Sequence, residues 1–470
     1  MKKTLKAVVF FAAIVLALSA CDEYNELTIT YTTGNADFTR FVSVGNSLTM
    51  GEQSAAVFES SQNYSFGKMI ARLVGAVYEQ PTISDPGTGG RLEIESIDFT
   101  SGSAVIVTNP NSGTPTNLNY PAPYNNLGVK GAFLPDVLNA RDASTSYTAM
   151  FGSPNPLFDV VLRGFGTQLE LALAQNPTFV TLWIGHNDIL AFATRGGLFP
   201  ITDVAQFGAM YKTILDNIEQ TGAGVVVGNI CDVKNIPFFK TVGPGLGLAL
   251  QGIIAGNPNV LGLVYQTTGA PGIGIATPDD LLAGNALVLL SGSSATGFLG
   301  DVTGAYYSTN GIPVPPTVNT AFPFGLTPQN PWPNNLILDP AEIAIVDAIV
   351  PAYNGIIQGE AQARGHAVAD VYTLFNDIGS PDGIVQDNLH FTSQFLTGLT
   401  YSLDGVHPTS QGYGLIANEF IKAINATYNA NLPLIDVSAI PGSIVLTKSV
   451  SFDKYGIPKI PYGALDHILF

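Results

Sequence analysis

The 470-residue chain predicts an α/β protein, built on a mostly parallel sheet of about five strands with helices on both faces. Three observations carry that expectation. Short apolar runs recur at 41–44, 126–132, 179–184, 224–230 and 366–372, several near-continuous, as suits strands covered on both sides. Patterns of helical spacing fall between them. No fixed period repeats along the chain, which sets solenoids and propellers aside.

Taken in order, residues 1–20 carry Lys2, Lys3 and Lys6, then an apolar run from Ala7 to Leu18. This is the pattern of a secretory signal, too short to span a bilayer comfortably. It ends Leu18-Ser19-Ala20-Cys21, which resembles the lipobox of bacterial lipoproteins. The resemblance implies cleavage before Cys21, lipid attachment there, and an exported protein held on the periplasmic side or the cell surface, with an outer membrane expected. The plainer alternative is an ordinary cleavage site beside a chance cysteine. Residues 21–36 are polar and threonine-rich and read as a tether. The other cysteine, Cys231, follows an apolar run and reads as a small core residue. With Cys21 acylated, no intramolecular disulfide is possible.

Phe41 to Val44 is the first strand, Gly45-Asn46 a turn, and 54–77 a mostly helical stretch. Residues 78–123 read as an insertion containing a hairpin, with alternation at 92–97 and an apolar run at 104–107. Asn126 to Ala132 is a short strand ending in glycine, Leu134 to Arg141 a helix, and Leu157 to Ala174 a second helix stopped by Pro177. Phe179 to Ile184 is a buried strand that leads directly into Gly185-His186-Asn187-Asp188. Val204 to Gln220 is a helix and Gly224 to Ile230 a strand. Residues 236–335 form an apolar insertion; within 241–300 the only charged residues are Asp279 and Asp280. That stretch is either a cap packed on the core or a lid and acyl-binding wall. Asp339 should cap a long helix reaching Ala363, with Pro340 in its first turn and a kink or break at Pro351. His366 to Tyr372 is the fifth strand, and a last helix runs from Pro408 to about Ala426. Residues 431–470 are a Pro- and β-rich extension.

Composition narrows the function. The formal charge is −17, and −20 without residues 1–20, so the chain repels nucleic acid and anionic lipid. Membrane attachment therefore needs the apolar anchor. No His/Cys cluster suggests a metal, and no glycine-rich loop fits a nucleotide, so no cofactor is expected.

Ser47 stands where a strand gives way to a helix, the place where open α/β sheets bind ligands and where backbone N–H groups can face an anion. Acyl transfer from a serine needs a base, an orienting carboxylate and oxyanion donors. Of five histidines only His407 has an acid placed for a loop pair, Asp404, three residues earlier. Each feature alone also suits a bland reading: a turn serine, a helix cap at Asn187-Asp188, a surface pair at Asp404 and His407. Together they resemble the SGNH (GDSL) hydrolase superfamily, whose four blocks appear in order over about residues 37–430. The blocks are Gly45-Asn46-Ser47-Leu48, Asn126 with Gly131, Gly185-His186-Asn187-Asp188, and Asp404-Gly-Val-His407.

The resemblance implies a flavodoxin-like, three-layer α/β/α fold and a serine esterase or lipase. Ser47 would be the nucleophile, His407 the base and Asp404 its orienter. Ser47 N–H, Gly131 N–H and the Asn187 amide would form the oxyanion hole. Gly128 competes with Gly131, which lies five residues after Asn126 as in the family pattern. Asn46 departs from the family's Asp, which puts local charge and loop geometry in doubt. His186 reads as a pocket wall. The alternatives are a carbohydrate O-acetyl esterase on the same triad, or a lipid-anchored binding protein with a retired site.

Overall fold

A computed structural model describes residues 31–98, 103–269, 272–442, 460, 462–466 and 468. The signal segment, most of the tether, Cys21 and His467 lie outside the described residues.

Runs of β-branched and aromatic residues form four parallel strands: β1 (Phe41–Gly45), β2 (Phe179–Trp183), β3 (Gly224–Gly228) and β4 (Ala367–Ala369), hydrogen-bonded in that order. Every residue of β1 and β2 is buried, as their unbroken apolar character requires. Phe41 pairs with Phe179 and Gly45 with Trp183, so the C-terminal ends of these two strands are level.

Among the described residues the sheet has four strands, not about five as expected. Residues 125–129 do run along the outer edge of β1: Ser43 N–H donates to Asn125 O (2.8 Å), and Leu127 N–H to Ser43 O (2.8 Å). Only Ser43–Asn126 forms a bridge, however. The Asn126 side chain accepts from Gly128 N–H (2.9 Å) and donates to Thr49 O (2.8 Å). Such local side-chain bonds compete with a ladder, and the segment stays a single bridge beside β1, with Val129 N–H donating to Gly45 O (3.2 Å).

Helices flank the sheet. Phe66 of the helix Phe66–Val74 and Phe420 of the helix Ser410–Tyr428 stack at 4.6 Å, and both contact Trp183. Phe207 of the helix Val204–Glu219 stacks on Tyr353 of the helix Pro340–Ala363, with ring centroids 3.8 Å apart.

Three helical expectations are corrected. The stretch 54–77 contains two helices, Glu59–Gln62 and Phe66–Val74. Its start is drawn out of helix because Ser54 and Ala55, with φ of 53° and 66°, donate their N–H groups to Ser402 Oγ and Asp404 Oδ2. Residues 157–174 divide into Leu157–Leu162 and Gln168–Ala174, broken at Arg163 (φ 53°), whose guanidinium binds the carbonyls of Leu118, Tyr120 and Ala122. Pro351 does not end its helix, which runs unbroken from Pro340 to Ala363. The carbonyl that loses its partner belongs to solvent-exposed Asp347, where water can satisfy it.

The hairpin in the first insertion pairs Leu92–Asp98 with Ser103–Thr108. In the apolar insertion, the helix Val242–Gly256 buries Val242, Leu246 and Leu250. Phe238 N–H donates to Gly405 O (3.0 Å), so the start of this insertion braces the loop that carries Asp404 and His407. Beyond Ser410–Tyr428, residues 431–442 contain no strand; Asn425 and Asn418 side chains hold Leu432 and Ile435 along that helix. The rest of the expected β-rich tail, 443–459, lies outside the described residues.

Candidate active site

The level ends of β1 and β2 deliver two of the sequence blocks to one place. Gly45 must be glycine: a Cβ there would lie 2.4 Å from Trp183 O and 2.1 Å from Thr49 Oγ1. Asn46 follows as the N-cap of the one-turn helix Ser47–Met50, its side-chain oxygen accepting from Leu48 N–H at 3.1 Å. A carboxylate would fill this capping role equally well, so the asparagine preserves the turn without the charge. Ser47 occupies the first helical position, where its N–H has no intrahelical acceptor.

The structure brings Ser47, His407 and Asp404 together. Ser47 Oγ lies 3.0 Å from His407 Nε2, and Asp404 Oδ2 lies 2.9 Å from His407 Nδ1. All three residues are buried. Asp404 is held by more than the imidazole: Oδ1 accepts from the N–H groups of Val406 and His407, both at 2.8 Å, and Oδ2 from Ala55 N–H at 2.7 Å. Burial would raise its pKa, but the His407 charge and these donors outweigh it and hold the carboxyl below its ordinary value. Burial would likewise lower His407, but the Glu52 and Asp404 carboxylates prevail over it and over Lys130, and its pKa is raised.

The remaining blocks lie close by. Gly128 N–H is committed to Asn126 Oδ1, whereas Gly131 N–H has no acceptor among the described residues. Gly131 has φ 77°, a left-handed conformation that favours glycine. Asn187 is buried and donates one amide hydrogen to Ala132 O (2.8 Å), which leaves the second free. Asn187 and Ser47 line the same cavity of about 30 Å³, together with Trp183, His186, Cys231, Tyr401 and His407. His186 is thus a wall of that cavity; neither ring nitrogen has a partner, and burial pushes its pKa down to about 3, so it is neutral. Asp188 does not face the cavity. It accepts from Leu134 N–H and Thr202 Oγ and ties two loops together. Among the described residues of the apolar insertion only Ile236 reaches the cavity lining, and those of the stretch 241–300 supply none of it.

Two residues escaped sequence reasoning. Glu52 Oε2 lies 3.3 Å from His407 Nε2, and its Oε1 lies 2.6 Å from Lys130 Nζ, all buried. A signal existed: Glu52 is the one charged residue of 41–58 and Lys130 the one of 126–134. Nothing in the sequence paired them across 78 positions. Glu52, Asp404 and His407 offer metal-ligand atoms within 4.8 Å of one another. In this chain Glu52 Oε1 is taken by Lys130 Nζ, and both Asp404 oxygens by N–H donors, so most of the donor set is already committed within the protein.

No protein-family model matches the chain, and no curated protein matches it either.

Proposed function

We propose that the protein is a serine hydrolase, acting through Ser47, His407 and Asp404. More narrowly, it is an ester hydrolase of the SGNH (GDSL) type, an esterase or lipase in the broad sense. The observation that carries the reading is the continuous relay from Ser47 Oγ to His407 Nε2 (3.0 Å) and from His407 Nδ1 to Asp404 Oδ2 (2.9 Å). Topology supports it. With the 125–129 segment counted outside β1, the segments follow the order 2-1-3-4-5 of flavodoxin-like three-layer sheets. Ser47 and Asn187 follow the two strands on either side of the switch point, where such sheets bind ligands.

In this reading Ser47 Oγ attacks the ester carbonyl while its proton passes to His407 Nε2. Asp404 holds the Nδ1–H tautomer and stabilises the imidazolium. The oxyanion is met by Ser47 N–H, Gly131 N–H and the free Asn187 amide hydrogen. His407 then protonates the leaving alkoxide, and water, deprotonated by the same imidazole, releases the acid. No cofactor takes part. The lipobox-like segment ending at Cys21 supports display of the enzyme on a bacterial membrane.

One observation favours the O-acetyl esterase alternative over a lipase. The cavity beside Ser47 is small, about 30 Å³, room for about two water molecules, and suits a short acyl group. A series of nitrophenyl esters tests both levels, with Ser47→Ala as the control. The reading expects hydrolysis that Ser47→Ala abolishes and a preference for acetate over octanoate. A preference for octanoate would reinstate the lipase form. Hydrolysis undiminished in Ser47→Ala would overturn the enzyme assignment.

A further inference from the structure

We propose that Glu52 is a second carboxylate partner of the His407 imidazole, a positioning residue that, with Lys130, sets the proton affinity of the base. The inference rests on the reading of Ser47 and His407 as the catalytic pair.

The geometry is a closed ring. His407 Nδ1 faces Asp404 Oδ2 (2.9 Å), and the same oxygen accepts from Ala55 N–H (2.7 Å). Ala55 O accepts from Lys130 Nζ (2.8 Å), Lys130 Nζ pairs with Glu52 Oε1 (2.6 Å), and Glu52 Oε2 returns to His407 Nε2 (3.3 Å). The local sequence builds it. Gly51, with φ 88°, ends the helix Ser47–Met50 and turns Glu52 back beneath it. Tyr413 OH, from the helix Ser410–Tyr428, donates to Glu52 O (2.8 Å) and fixes the backbone there.

Glu52 Oε2 is the informative atom. It is buried, has no hydrogen-bond partner and points at Nε2. An ionised oxygen left so is costly. While His407 is neutral with its hydrogen on Nδ1, Nε2 presents a lone pair and Oε2 gains nothing from it. When Ser47 Oγ forms its bond to the carbonyl carbon, its proton moves to Nε2, and Nε2–H then meets a waiting carboxylate. The stabilisation therefore arises as the imidazolium forms, which is when it lowers the barrier. Lys130 Nζ, 2.6 Å from Glu52 Oε1, draws off part of the carboxylate charge, so that the proton is still released to the leaving group.

The charged and titratable neighbours agree. Asp404 approaches from the same loop as His407, Lys130 from the segment after Asn126, and Ser47 from the helix that precedes Glu52. His186, Tyr401 and Cys231 line the cavity, and burial keeps them uncharged at neutral pH. Against burial, the pKa of His407 is raised by the Glu52 charge and by the charge and hydrogen bond of Asp404.

The test is the rate at which a serine-directed phosphonate modifies Ser47 as a function of pH, beside NMR titration of the His407 ring. In the natural protein the rate should fall on acidification through a pKa above the ordinary 6.5 of histidine. Glu52→Gln should move that limb to lower pH by about one unit or more. Because Gln leaves the Lys130 ammonium buried with no carboxylate beside it, the double variant Glu52→Gln/Lys130→Met is the companion; it removes both charges, and its limb should also lie below the natural one. An unchanged limb and an unchanged His407 titration in both folded variants would overturn the inference. If the natural protein is not phosphonylated at any pH, the catalytic reading falls. The NMR titration then decides by itself whether Glu52 governs His407.

Discussion

Ser47, His407 and Asp404 come from opposite ends of the chain, and what joins them is a set of single-atom contacts. Asp404 uses both oxygens: one orders its own loop through Val406 and His407 N–H, the other reaches Ala55 and the imidazole. The sequence made this pair visible because the spacing of Asp404 and His407 suits one turn. It could not show Glu52, whose role depends on a lysine that arrives by a different route. Asn187 is the donor whose removal is most readily interpreted. If the proposed function holds, Asn187→Ala should lower kcat for a nitrophenyl ester by about 10²–10³ with little change in KM, since in that mechanism the lost bond forms to the oxyanion. Steady-state kinetics check this, with circular dichroism to show that the bond to Ala132 O was not essential for folding.

At the scale of elements, strand and helix positions were legible because burial on both faces leaves an uninterrupted apolar run and amphipathic helices leave a period. The errors arose where tertiary hydrogen bonds override that local signal. Ser54 and Ala55 leave helix to bind the Asp404 loop, and the Asn126 side chain takes up local backbone groups so that the would-be fifth strand stays a single bridge beside β1. Asp339, by contrast, was read correctly from sequence alone. Its carboxylate accepts from Glu342 N–H (2.9 Å) while Glu342 accepts from Asp339 N–H (2.9 Å), a reciprocal cap. Asp339→Ala should lower unfolding free energy by about 0.5–2 kcal/mol in urea titration and leave ester hydrolysis unaffected, because this helix end contributes no residue to the cavity beside Ser47. The described residues of the apolar 241–300 stretch, which composition left open between cap and acyl wall, line none of that cavity. Its neighbour Phe238 and the buried Leu290 instead abut Gly405 from behind, and Gly405 has no room there for a side chain.

At the scale of the whole molecule, burial governs the response to pH. It pushes Asp136, Asp188 and Glu342 up to about 7. A carboxyl whose folded pKa lies above its unfolded value binds more protons when folded, so its stabilisation is complete below about pH 4 and is lost as pH rises through about 7. His407, also raised, acts in the same direction. The thermal midpoint should therefore decline from pH 5 to pH 8, and Asp188→Asn should flatten the decline. A midpoint that rises over that interval would contradict this account of the core. The proposed function requires of the folded chain an activated hydroxyl at residue 47. Intact-protein mass spectrometry after treatment with a fluorophosphonate tests it most directly. One phosphonyl adduct on Ser47 is expected, absent in Ser47→Ala and strongly slowed in His407→Ala. An unmodified natural protein, or an adduct that persists in Ser47→Ala, would contradict it.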